Sequence, residues 1–264
     1  MTVPPPLVIG KATVTGRSVS SILTRPSGFI ADYDFTLNPY AGCTFGCSYC
    51  YAAFFSNSSA RRDSWGRWVE FKANALETLQ RMRTPLHGKS IYMSSVTDPY
   101  QPIERRLGLV RPLLKELIGR QPRLTVQTRS PLVTRDIDLL CQFDRIRVNM
   151  TITTDTDEVR RAFEPGCPSN RARLQAVRTL AEAGIDVGIT MTPLLPVSDP
   201  ARFARDLLAS GARRFVVQDF HVERGKFVAG TREPALARVH AMGWTAARYE
   251  RTVSVLRARL PNLQ

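Results

Sequence analysis

Three features of the sequence together predict an α/β fold, a partial (β/α)6 barrel of the TIM type with N- and C-terminal extensions. Short apolar runs alternate with amphipathic helical stretches over most of the 264 residues, the pattern of parallel strands covered by helices. Six such strand-then-helix units can be followed, without a seventh and eighth to close a full barrel. Polar residues gather where the strands end, the face at which barrel enzymes place their sites. A flat doubly wound sheet is the alternative architecture that the pattern leaves open.

Residues 1–30, rich in Pro, Thr, Ser and Gly, read as an extension draped on the body; residues 31–220 form the barrel and residues 221–264 a C-terminal extension. Tyr33, Phe35 and Leu37 alternate and predict a first strand over 32–37, whereas 54–67 is polar and irregular. Val69, Ala73, Leu76, Leu79 and Met82 fall at helical spacing and predict a long helix over 69–82, stopped near Pro85 and Gly88. Strands follow at 90–94, 124–128, 146–152, 187–191 and 215–217. Helices are expected at 109–118, 135–141, 157–163, 171–183 and 200–209. The C-terminal extension opens with a link containing Gly225 and Gly230 and ends in a helix over 245–260. That helix sets Tyr249, Val253 and Leu256 among Arg248, Arg251 and Arg257, so it either packs with a solvated arginine face or touches phosphates or acidic lipid.

Composition narrows the class. At 43% hydrophobic and 23% charged the chain reads as soluble and globular, and no apolar run reaches membrane-spanning length. Residues 1–10 lack the charged and apolar regions of a secretory signal. Five cysteines, three of them crowded together, do not make a disulfide framework, and a reducing cytoplasm is the expected location. The net charge of +14 invites a polyanionic partner; with only five lysines beside 32 arginines, genomic base composition is a second source of that charge.

The chemistry concentrates in residues 38–51, Asn-Pro-Tyr-Ala-Gly-Cys-Thr-Phe-Gly-Cys-Ser-Tyr-Cys-Tyr. Cys43, Cys47 and Cys50 have the spacing C-x3-C-x2-C, close enough to converge on one soft metal centre. Three ligands are one short of a closed site. An iron-sulfur cubane held this way keeps one iron open to an exogenous ligand, as a catalytic zinc keeps its fourth position open. Two other readings stand beside it: a structural zinc knuckle completed by the distant His87, His221 or His240, and three ordinary buried cysteines. Cys141 and Cys167 read as small buried or loop cysteines. The strand ends add Ser94, Ser95, Thr97 and Asp98, then Thr128 and Arg129, Thr151 and Thr153, Thr190 and Thr192, and Gln218 and Asp219.

The cysteine spacing, with Tyr49 just before the last cysteine, resembles the cluster loop of the radical S-adenosylmethionine (SAM) superfamily. Further segments resemble its spore photoproduct lyase-like branch, also labelled DNA repair photolyase-like. They are Asn-Pro-Tyr-Ala-Gly-Cys at 38–43, Ser-Ser-Val-Thr-Asp-Pro-Tyr-Gln-Pro-Ile-Glu at 94–104, Thr-Arg-Ser at 128–130, Glu-Pro-Gly at 164–166 and Arg173-Leu174. The resemblance implies a 4Fe-4S cluster on Cys43, Cys47 and Cys50 whose open iron binds S-adenosylmethionine. It also implies reductive cleavage of that cofactor to a 5'-deoxyadenosyl radical that abstracts hydrogen from a substrate. By the same resemblance Tyr49 lies by the adenine, while Ser94, Ser95, Thr97 and Asp98 occupy the position that receives the methionyl amino group. Arg129 pairs with the methionyl carboxylate, Thr151 and Thr153 face the ribose or carboxylate, and Pro193 and Leu194 pack on the adenine side. The implied partners are a flavodoxin- or ferredoxin-type electron donor and a substrate that is either nucleic acid or a peptide or small metabolite. A non-catalytic, zinc- or cluster-containing nucleic-acid-binding module is the reading from outside enzymology. Val96 stands where the lyases keep a cysteine that returns hydrogen to the product radical, so that activity is not implied.

Overall fold

A seven-stranded, open sheet forms the body. The computed structural model describes residues 7–221 and 230–264, so Gly225 of the expected link lies outside the described residues. Its strands are β1 (Leu7–Ile9), β2 (Ala12–Arg17), β3 (Leu23–Thr24), β4 (Phe35–Leu37), β5 (Tyr40–Ala41) and β6 (Trp68–Lys72). They continue with β7 (Ser90–Met93), β8 (Arg123–Thr128), β9 (Ile146–Thr151), β10 (Asp186–Met191) and β11 (Arg214–Val217). The large sheet has the order β11-β10-β9-β8-β7-β4-β3. Its six strands from β4 and β7 to β11 are parallel, and β3 joins β4 antiparallel at one edge, Leu23 opposite Leu37. Among the described residues no pairing joins β3 to β11, and the fold is a partial TIM-type barrel with the six parallel strands expected. On the outer side of β11, Leu263 bridges Phe215, and Gln264 bonds to Phe215 and Val217 through its backbone.

Strand alternation sorts the residues between two environments. On β9, Val148 and Met150 are buried in the core, while Arg147, Asn149 and Thr151 line the lumen. On β10, Ile189 and Met191 take the core side, and Gly188 and Thr190 the lumen side. The covering helix Asn170–Glu182 buries Ala176, Val177 and Leu180, and Pro200–Ala209 buries Phe203, Ala204 and Leu207. Each fully buried Leu or Phe contributes about 1.5–3 kcal/mol. The helices start where capping side chains occur: Ser169 accepts from the amide of Ala172, Asp199 from Arg202 and Thr245 from Arg248. Among the described residues no helix is long and apolar enough to cross a membrane.

The expected helix over 69–82 is corrected. Its first part is strand β6, paired parallel to β2 and antiparallel to β5 in a smaller sheet of order β1-β2-β6-β5; only Ala75–Gln80 is helical. The run Trp68-Val69-Glu70-Phe71-Lys72 has a period of two and β-favouring side chains. Val69 is buried in a cluster with Val14, Tyr40 and Ile103, while Glu70 pairs outward with Arg17 and Arg61. Of the expected N-terminal extension, the described residues 7–30 are more than a drape, since β2 belongs to the small sheet and β3 to the large one. The irregular stretch 54–67 contains a helical turn, Ser59–Asp63. The helix expected at 135–141 is a 3-10 segment, Pro131–Asp136, followed by Ile137–Leu140. A helix at Glu233–Ala241 had no counterpart in the sequence reading.

Candidate functional site

The cysteine loop begins directly after β5 and is fixed by backbone contacts on several sides. Turns close it from within, Gly46 N–H donating to Cys43 and Cys50 N–H to Cys47. From outside, Ser48 N–H donates to the carbonyl of Phe163 at 2.8 Å, and Phe45 O accepts from Gly166 N–H at 3.1 Å. Gly42 has φ +76, and a Cβ there would lie 2.5 Å from Trp68 O, so the loop can leave β5 only through glycine. Gly166 carries the same restriction for a different reason: its Cβ would sit 2.6 Å from Thr44 O, where the 164–167 loop docks on the cysteine loop.

Residues 94–98 pack along the other side. Asn38 Oδ1 accepts from the amides of Ser95 and Val96, and Asn38 Nδ2 donates to Ser95 Oγ. Thr97 Oγ1 donates to Gly42 O at 2.7 Å, and Gln101 bonds Thr97, Gly42 and the amide of Thr44. Asp98 accepts from Thr128 Oγ1, Arg129 N and Tyr100 N. Ser95 and Thr97 therefore spend their side-chain oxygens on Asn38 and Gly42 beside the cysteines, and Asp98 spends its carboxylate on Tyr100 and the end of β8. Ser94 differs. It is 3% exposed, sits at a left-handed φ of 77, lines the cavity and has no partner for its Oγ.

A buried ionic network lies on the same side. Glu164, wholly buried, is 2.5 Å from Arg173 Nη2 and accepts from Tyr49 OH and Thr153 Oγ1. Tyr49 OH in turn accepts from Arg129 Nη2 at 2.9 Å. Arg129 Nε is 3.8 Å from Glu164, too far for a hydrogen bond, and is buried without a partner. Burial alone would raise the Glu164 pKa, but Arg173 and Arg129 outweigh it and hold the carboxyl at about 2.

These parts face one cavity of about 430 Å³, a size usual for small-molecule sites. Cys43, Cys47, Cys50, Tyr49, Ser94, Ser95, Thr97, Asp98, Arg129, Thr151 and Pro193 all line it. Thr153 and Leu194 do not: Thr153 serves Glu164, and Leu194 is fully buried with its amide on Gln218 O. Further down, Tyr92, Gln127, Thr151 and Thr190 are joined by hydrogen bonds of 2.7–3.0 Å across four strands. His221 lines the cavity as well, while His87 is remote from it and His240 lies in the helix Glu233–Ala241.

The donor set fits a cluster. Burial pushes the Cys43 thiol up, with Asp98 and Cys47 adding to the shift, and burial with the Cys47 charge pushes Cys50 up to about 11. The hydrogen bond from Cys167 instead lowers Cys47, so Cys43 and Cys50 are the two thiolates that need a compensating cation at this place. Among the described residues no three His, Cys, Asp or Glu side chains converge as around a single ion, and the three cysteines line one cavity. The unpartnered Ser94 Oγ and Arg129 Nε offer a donor or acceptor to a polar ligand beside them. Glu164, Arg173 and Gln127 were missed as site residues. For Glu164 and Arg173 the available signal was the matched segments around them; for Gln127 it was its place on the lumen side of β8.

An open parallel barrel with a three-cysteine loop at the C-terminal ends of its strands defines a class of cofactor-dependent enzymes. The sequence model of the Radical SAM superfamily matches residues 37–207, and the chain belongs to that superfamily. An uncharacterized protein of Methanocaldococcus jannaschii is 38% identical over 162 residues, 61% of this chain and 61% of the relative, which is under two thirds of the relative's length. A radical SAM Nα-GlyT isomerase of Pseudomonas phage M6 is 27% identical over 195 residues, 71% of this chain and 39% of that protein. A spore photoproduct lyase variant solved with bound AdoMet and dinucleoside spore photoproduct superposes with a TM-score of 0.58. It is 18% identical, over 77% of this chain and 60% of the lyase, and shares the fold.

Proposed function

We propose that this chain is a cytoplasmic radical SAM enzyme that carries a 4Fe-4S cluster on Cys43, Cys47 and Cys50 and acts on nucleic acid. The observation that supports it best is that the three loop cysteines, Cys43 and Cys47 buried and Cys50 half-buried, and two residues with unpartnered polar atoms, Ser94 Oγ and Arg129 Nε, line the same cavity. When bound, the cluster supplies the electron that cleaves S-adenosylmethionine to a 5'-deoxyadenosyl radical, an electron that a flavodoxin- or ferredoxin-type donor would bring. The protein's part is position and dryness. Arg129 is held by Tyr49 and Glu164 and presents a fixed guanidinium to the methionyl carboxylate; Ser94 presents its hydroxyl to the cofactor from the end of β7; Pro193 closes the wall where the adenine would pack. Anaerobic incubation with dithionite and S-adenosylmethionine tests the reading: 5'-deoxyadenosine is the expected product, and its absence from iron-loaded protein overturns it.

Arg129→Ala is expected to keep the iron and to weaken S-adenosylmethionine binding by about tenfold or more, because a hydrogen bond to a charged group contributes about 1.5–3 kcal/mol. Isothermal titration against the iron-loaded variant checks this, and an unchanged Kd removes Arg129 from the site.

Nucleic acid as substrate is supported by the net charge of +14 and by the dinucleoside in the structural neighbour. Val96 lines the cavity and has no labile hydrogen to return to a product radical. Incubation with spore photoproduct dinucleotide should restore little or no thymine, whereas Val96→Cys should create repair; efficient turnover by the unaltered protein refutes this. Binding to DNA or RNA should be weak, independent of sequence and lost as salt rises, and salt-insensitive binding would refute the phosphate contribution.

A further inference from the structure

We propose that Cys167 is a positioning residue that donates its S–H to the sulfur of Cys47 and so raises the reduction potential of the cluster. The two sulfurs are 3.7 Å apart, and Cys167 is 7% exposed and not part of the cavity wall. It stands behind the cysteine loop, out of reach of a substrate. This approach is built by several contacts. Gly166 N–H bonds Phe45 O, Cys167 N–H bonds Glu164 O, and the buried Arg160 donates to Cys167 O at 2.6 Å. Glycine at 166 is what lets the two loops close to this distance.

The inference rests on the cluster reading above, and its chemistry follows from counting protons. A cysteine that ligates iron has given up its proton, so Cys47 would be an acceptor only. Cys167, buried 3.7 Å from that sulfur and outside the ligand set, supplies the one S–H of the pair. A donor aimed at a ligand sulfur offsets the negative charge added on reduction, which is how hydrogen bonds to sulfur tune cluster potentials.

The test uses anaerobically prepared, iron-loaded protein, Cys167→Ala and Cys167→Ser, with midpoint potentials from EPR-monitored titration and proton couplings of the reduced cluster from ENDOR. Cys167→Ala is expected to keep its iron, lose one coupled proton and shift the reduced-to-oxidised ratio at a set potential by on the order of tenfold. For one electron that is about 59 mV, in the negative direction. Cys167→Ser keeps a donor and should stay nearer the parent in both readouts. An unchanged potential in iron-loaded Cys167→Ala overturns the proposal, as does an equal shift in Ala and Ser, or loss of iron from both. Absence of iron from the parent protein would instead overturn the cluster reading.

Discussion

Alanine at Cys43, Cys47 or Cys50 takes anaerobically prepared protein from about four irons and four sulfides per chain to near none, and 5'-deoxyadenosine formation disappears with them. The expectation follows from the ligand count. The loop brings three sulfurs to one cavity, and two cannot hold a cubane whose fourth iron has no protein ligand. Cys141 is the control, because it is exposed, far from the cavity, and donates to Ala183 O. Cys141→Ala should match the parent in iron content and in the visible absorption of the cluster. Stoichiometric zinc in place of iron, in protein never exposed to air, would end the radical reading and revive the zinc knuckle.

Removing the Glu164 carboxylate should be the most damaging change to the fold. Arg173 is fully buried, with its Nη2 on Glu164 and its Nη1 on Thr151 O, so Glu164→Ala leaves a guanidinium charge without its counter-ion. Breaking such a pair from one side costs about 3–5 kcal/mol, which for a chain of this size lowers Tm by on the order of 10 °C. The pH dependence carries a sign. The folded-state pKa of Glu164, about 2, lies below its unfolded value, about 4.3. Its contribution, on the order of 3 kcal/mol, is therefore complete above the unfolded value and is lost as pH falls toward 2. Glu164→Gln has no proton to take up there, so urea midpoints between pH 5 and pH 3 should fall less steeply than in the parent. Equal slopes would show that Glu164 does not carry this ionisation energy.

Much of this was legible along the chain because the signals were local. Residues 157–163 and 200–209 form the helices expected, each opened by a capping side chain, Thr156 and Asp199, next to its apolar stripe. The parallel strands declared themselves as apolar runs, and the cysteine loop by its spacing. Strand β6 was hidden because Val69, Ala73 and Leu76 also satisfy a helical period, and its partners β2 and β5 lie elsewhere in the chain. The site was legible in residue type but not in occupancy. Nothing in the sequence says that Thr97 is spent on Gly42 and Asp98 on Thr128, or that Ser94 alone of that segment keeps a buried, unpartnered hydroxyl. The contact between Tyr49 and Glu164 spans 115 residues and has no local signature.

The gap between β3 and β11 has a consequence for selection among substrates. A closed barrel filters by girth, since whatever reacts must pass through its mouth. Here residues near one edge, Phe29 and Tyr33, and near the other, Arg214 and Val216, line a single cavity together with Asn262 and Gln264, so the wall is completed by side chains where no backbone ladder joins the two edges. A seam of side chains, unlike a hydrogen-bonded ladder, sets no fixed girth.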